Sequence, residues 1–240
     1  MTKVSKEHQA LLHSNLFKFL FISLLVLPLL AFGHGVDDNT RHFLQANDSV
    51  QLMPFIYIGA KHMVTGYDHL LFLFGVLFFL TKSKDVLVYV SLFTLGHSLT
   101  LLSGVLANIS INPYLIDAVI GFSVFYKGFE NLGGMKKLFT TPPDTRLMVM
   151  LFGLIHGFGL ATKLQEFQLN QESLLSNLLA FNLGVEFGQV LALTFIFIGI
   201  RFWRQYPSFQ RFSNISNTLL MSSGLMLLGF QLTGFFAQPI

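Results

Sequence analysis

From residue 52 onward the chain is a series of long apolar runs separated by short polar interruptions, at about 54–80, 86–107, 113–132, 147–164, 174–200 and 215–236. Each reaches or approaches the roughly 20 apolar residues that an α-helix needs to cross a bilayer. The pattern predicts an all-α fold, a polytopic membrane helix bundle with six transmembrane helices. The first and fifth runs exceed one span, so each is expected to tilt or to begin as an interfacial helix. Further upstream, Lys3, Lys6 and Lys18 precede the apolar stretch "FLFISLLVLPLLAFG", with Ala31 and Gly33 placed like the small residues before a cleavage site. Residues 1–33 are therefore read as a signal peptide, or as a seventh span if uncleaved. Residues 34–51, rich in Asp, Asn, Thr and Gln, are read as an extracytoplasmic polar segment, and 52–240 as the six-span domain.

Composition agrees with this class. The chain is 52% hydrophobic, holds 28 Phe and is only 11% charged, whereas about a quarter of the residues in a soluble domain are charged. There is no cysteine, which excludes disulfides and thiolate metal sites. The basic pI near 9.2 comes from loop residues, and no basic patch interleaved with aromatics argues for a nucleic-acid partner. Lys82 and Lys84, then Lys136, Lys137 and Arg146, then Arg201, Arg204 and Arg211 fall in alternate connections. By the positive-inside rule these loops are cytoplasmic, leaving both ends of a cleaved chain outside. The expected location is a cell membrane of the bacterial inner-membrane type. "GGMKKLFTTPPDTR" is the evident linker and divides the six runs three and three. An inverted repeat is conceivable, but "FTLGH" and "FGLIH" are too short a match to carry it.

The informative residues are the polar ones inside the apolar runs: Asp68, Asp117 and Glu186, with His69, His97 and His156 and, nearer an edge, His62. Lys61, Lys127 and Lys163 lie close enough to run ends to snorkel, which leaves the carboxylates without an obvious cation. A carboxylate at the bilayer centre costs about 2.5–3.5 kcal/mol, so either these groups are protonated or a cation visits them. On a continuous helix His62 and His69 lie within about 20° of each other but roughly 10 Å apart along the axis. They can share an ion only if Gly66 breaks the helix; otherwise they are successive positions, the reading the spacing favours. In "FNLGVEFGQ", Asn182, Glu186 and Gln189 form one polar stripe on an apolar helix.

For each of these there is a structural alternative. His97, beside Ser98 and Thr100, suits a group that merely hydrogen-bonds neighbouring helices. Asp117 sits near Asn112-Pro113 and suits an interfacial position. The adjacent Asp68 and His69 are better explained by function, since a carboxylate orients a ligating imidazole. Glu186 lies too deep in its run for an interfacial role. Imidazole and carboxylate without thiolate suit nickel, cobalt, zinc, iron or manganese.

"HMVTGYDHLLFL", "FTLGHSLTL", "FGLIHGFGLA" and "FNLGVEFGQ", in that order over about 52–201, resemble the HupE/UreJ family, and its second subgroup most. The resemblance implies a membrane permease for nickel or cobalt rather than an enzyme, with no permanently bound cofactor. It carries the metal-handling role onto His62, Asp68, His69, His97, His156 and Glu186. Asp117 stands where the family usually has Glu. Independently of the resemblance, His62 and the His34 region are read as capturing metal, with Asn182 and Gln189 supporting the path. The expected partners are a divalent metal ion and the lipid bilayer, with homo-oligomerisation left open. Two competing classes are an integral-membrane metalloenzyme with His/Asp-bound zinc or iron, and an assembly protein whose polar residues only pack helices.

Overall fold

The computed structural model describes residues 49–165 and 171–238, all within one compact unit, Val36–Ile240. The predicted signal peptide and His34 lie outside the described residues. The elements are α1 (Leu52–Thr65), α2 (Tyr67–Leu77), α3 (Ser83–Leu106), α4 (Pro113–Asn131), α5 (Gly134–Leu138), α6 (Thr145–Gln165), α7 (Gln171–Trp203) and α8 (Pro207–Phe236). Local chemistry explains several of their ends. Asn112 accepts from the Tyr114 N–H at 3.0 Å, with Pro113 as the first helical residue of α4. Asp144 accepts from the Arg146 and Leu147 amides at 2.7 and 3.2 Å and so starts α6. Gly133, at φ 79°, supplies the left-handed turn that separates α4 from α5.

The all-α expectation holds, but the six-span count does not. Among the described residues four helices are long and apolar enough to cross a membrane: Ser83–Leu106, Thr145–Gln165, Glu172–Trp203 and Pro207–Phe236. The expected first span is two helices of 14 and 11 residues that meet at Gly66, whose φ −71° and ψ 95° are extended. At 1.5 Å per residue α2 is only about 16 Å long, roughly half of the hydrocarbon core. The expected third span is α4, 19 residues that carry Asp117, Lys127 and Glu130. Three ionisable groups in that length take it out of the same class.

The helices pack as three close pairs, α1 on α7, α3 on α6 and α4 on α8, with α2 inside the bundle against α4, α7 and α8. Every pair is made at glycines, where there is no side chain to hold the backbones apart. A Cβ on Gly188 of α7 would stand 2.6 Å from the Ala60 carbonyl of α1, and one on Gly96 of α3 would stand 2.6 Å from the Met150 carbonyl of α6. On α4, Gly121 meets the Leu228 backbone of α8 in the same way. Of the 11 residues of α2, nine are buried. Leu179, Phe187, Phe195, Met226 and Phe230 point outward from α7 and α8, the apolar surface that lipid covers.

The body of α2 is buried, and protein side chains donate to the carbonyls near its C-terminal end. Asn131 of α4 donates to the Gly75 carbonyl at 2.8 Å and also to Asn217 of α8 at 2.8 Å. Beside it, Lys127 is buried and pairs with Glu130 at 2.5 Å, and Thr145 donates to the other Glu130 oxygen. The i, i+3 spacing on one helix brings Lys127 and Glu130 together, and the pair leaves Lys127 buried rather than extended.

The glycine contacts predict a contrast between two positions on the same helix. Gly188→Ala should lower stability by about 1–3 kcal/mol through overpacking. Gly199→Ala, with nothing within 4 Å of its added methyl, should be neutral or gain about 0.5–1 kcal/mol. Thermal unfolding of the two purified variants checks this.

Candidate functional site

The break at Gly66 turns the end of α1 back toward the start of α2. Gly66 N–H donates to the His62 carbonyl at 2.9 Å, and Leu70 N–H to the Gly66 carbonyl at 3.0 Å, so the chain loses little hydrogen bonding at the turn. A Cβ at Gly66 would stand 3.0 Å from His69 Nδ1 and 3.1 Å from the His62 carbonyl, so a side chain there would crowd both histidines. The turn brings the His62 and His69 rings edge to face with centroids 5.4 Å apart. The expectation of successive positions along one continuous helix is corrected here, since the helix does not continue.

His69 is the hub of a larger group. Its ring centroid lies 4.8 Å from that of His156 on α6 and 6.1 Å from that of His97 on α3. Phe93 and Phe72 pack against the same rings, Phe93 stacked on His97 at 6.2 Å and Phe72 against His156 at 5.5 Å. His69, His97 and His156 are 3%, 1% and 1% exposed, whereas His62 is only half-buried. The cluster is thus deep on three sides and more open at His62.

Hydrogen bonds set the ring chemistry. Asp68 accepts from the His69 backbone N–H at 2.8 Å and from His69 Nδ1–H at 2.9 Å through the same oxygen. This leaves the lone pair on His69 Nε2, which has no hydrogen-bond partner among the described residues. Asp68 also sits in the first turn of α2, where a helix favours negative charge. His156 Nδ1–H donates to the Phe152 carbonyl at 2.7 Å, so its lone pair too is on Nε2. A carboxylate or carbonyl behind an imidazole is the usual support of a metal-ligating histidine. On His97 neither ring nitrogen has a hydrogen-bond partner among the described residues. The helix-gluing role proposed for it falls instead to its neighbours: Ser98 donates to Asn182 at 3.0 Å, and Thr100 to the Leu154 carbonyl at 2.6 Å.

Two imidazoles bound to one ion through bonds of about 2.0–2.1 Å have their centroids roughly 5 Å apart. The pairs His69–His156 and His62–His69 are close to that spacing, and His69–His97 is wider. Among the described residues no three His, Asp or Glu groups are set to hold an ion together. Pairs of imidazoles radiating from His69 are consistent with both observations, whereas a closed coordination shell is not.

A polar seam runs beside the cluster between α3 and α7. Thr94 donates to Gln189 at 2.9 Å, Gln189 to the Val90 carbonyl at 3.5 Å, and Ser98 to Asn182 as above. Glu186 shares this face of α7 by helical spacing and is half-buried, with no hydrogen bond or ion pair among the described residues. Asp117 stands apart, in an ion pair of 3.2 Å with Lys163 of α6. A cation is therefore supplied for this carboxylate, contrary to expectation.

The stretch that carries these residues matches a known family. The profile described as HupE / UreJ protein matches residues 38–239. The chain belongs to the HupE/UreJ family. The matched region contains the whole histidine cluster, the α3–α7 seam and the Asp117–Lys163 pair. Comparison with curated proteins and with solved structures gave no match. In this HupE/UreJ protein the sequence motifs located the histidines and the α7 stripe. Thr94 has no sequence signal, and Ser98 is visible only as a neighbour of His97, because a hydroxyl on an apolar helix gives no sign of which neighbour it will meet.

His97 offers a test that separates ligand from glue. A buried polar group without partners costs about 1–3 kcal/mol, so His97→Phe, stacked on Phe93, should be as stable as the native protein or more so. A helix-gluing histidine would give a clear loss of thermal stability instead.

Proposed function

We propose that this HupE/UreJ protein is a secondary permease that passes a divalent transition-metal cation, nickel or cobalt, along an intramembrane path of imidazoles and carboxylates. The observation that carries this reading is the pair His69 and His97: two buried imidazoles of which His69 Nε2 and both nitrogens of His97 have no hydrogen-bond partner among the described residues, while Asp68 orients His69 through Nδ1. Burying polar atoms without partners is unfavourable, and a visiting cation removes that cost while neutralising Asp68.

His62, the most exposed ring, receives the ion. His69 hands it to His156 and His97, its deeper neighbours. Imidazole suits nickel, cobalt, zinc and iron alike, so selection among them rests on geometry and supply. Pairwise rather than closed ligation fits a cargo that must leave again. Glu186 contributes a second carboxylate from the seam, between Asn182 and Gln189 on the same face of α7. Asp117 takes part only when Lys163 releases it. His34, upstream, collects metal before His62 does.

Uptake of nickel, cobalt, zinc and iron into cells or vesicles tests the reading. Wild type should accumulate nickel or cobalt above the background of membranes lacking the protein. Asp68→Asn, which keeps the shape but removes the orienting charge, should weaken apparent affinity by about 10–100-fold, and Glu186→Gln should lower uptake. Normal expression with undiminished uptake in both variants and in His69→Ala would sink the proposal. Stoichiometric metal that copurifies with turnover of a small substrate would favour the metalloenzyme instead.

A further inference from the structure

The C-terminal end of α2 carries a cation of the protein's own. Arg204, immediately after α7, sends its guanidinium to three backbone carbonyls there: Nη1 donates to Leu80 O at 2.5 Å, and Nη2 to Leu77 O at 3.1 Å and to Phe78 O. The guanidinium carbon also lies 5.6 Å from the centre of the Phe209 ring. Phe78 stacks on Phe209 at 5.3 Å, and Trp203 meets Phe209 edge-on at 5.1 Å and Phe78 at 6.0 Å. One positive group is thus seated among converging carbonyls inside an aromatic wall.

Leu77 is the last residue of α2, the helix that begins at the histidine cluster, and Phe78 and Leu80 follow it; the Leu77 carbonyl also accepts from the Leu80 N–H at 3.1 Å. Leu77 is eight residues beyond His69, about 12 Å along α2. The C-terminal end of a helix carries roughly half a negative charge, and the ends of interrupted membrane helices coordinate cations through such carbonyls. Carbonyl oxygen is a poorer ligand than imidazole for late transition metals, which suits a site of release more than one of capture.

We propose that the carbonyls of Leu77, Phe78 and Leu80 form a second cation site, in which Arg204 is a tethered occupant that a divalent metal ion must displace on its way from the histidine cluster. A guanidinium and a divalent ion cannot share three carbonyls, so occupancy by one excludes the other. Arg204 then closes the end of α2 while no metal is in transit, and it joins the two helices that carry the site, α2 and α7. The direction of traffic rests on the permease reading; the competition for the carbonyls does not.

Trp203 is the only tryptophan in the chain and touches the wall around Arg204, so it reports on the exchange. Zinc titrated into the purified full chain in lipid nanodiscs should change Trp203 emission saturably in wild type. In Arg204→Gln the change should be lost, while zinc binding measured by calorimetry stays within a few-fold of wild type. In liposomes Arg204→Gln should speed nickel exchange several-fold, Arg204→Lys less so, and added guanidinium should slow the Gln variant again. The proposal is overturned if Trp203 is silent while zinc binds, or if the Gln variant exchanges nickel at the wild-type rate whatever guanidinium is added. It also falls if neither variant folds, since Arg204 is then only a helix cap. If wild type moves no nickel and yet Trp203 responds to zinc in an Arg204-dependent way, the permease reading fails and the second site stands.

Discussion

The rest of this bundle depends on one constraint: a helix that stops inside an apolar bundle must find protein partners for its backbone ends. The last carbonyls of α2 are met by protein donors, Asn131 from α4 and Arg204 from the end of α7. At the other end Gly66 makes the turn, and Asp68 places a carboxylate in the first turn of α2, where a helix favours it. The same residue then orients His69. Helix termination and construction of the site are therefore one event, because the group that suits the helix start also positions the hub of the imidazole cluster.

Burial gives the cluster its character. His69, His97 and His156 come from three different helices, so close approach of α3 and α6 is a condition for assembling it. That approach depends on Gly96 and on the glycines opposite it, including Gly157, which lies against the His97 backbone. The glycines that pack the bundle are thus as necessary to the site as the ligating rings. Thr100 shows the same economy, since its hydroxyl joins α3 to α6 one turn from His97.

The fold class and the identity of the polar residues were legible because intramembrane carboxylates and imidazoles stand out against runs of Leu and Phe. The resemblance read from four short motifs agrees with the family match over 38–239. The span count was not legible. Hydropathy sees 54–80 as one apolar run, and a single glycine decides whether it is one helix or two. Charge pairing was equally hidden: Lys163 and Asp117 are 46 residues apart, and only the packing of α4 on α6 makes them neighbours.

By itself, the sequence determined an α-helical membrane protein with buried histidines and acids and no thiolate chemistry, because composition and hydropathy are local properties of the chain. The tertiary structure decided which of those residues meet. It brought His62 to His69 through a broken helix, set His97 and His156 beside His69, gave Asp117 a lysine and seated Arg204 on the carbonyls of α2. These are distances between segments far apart in the chain, and they follow from where small residues let backbones close and from which donors a buried helix end can reach.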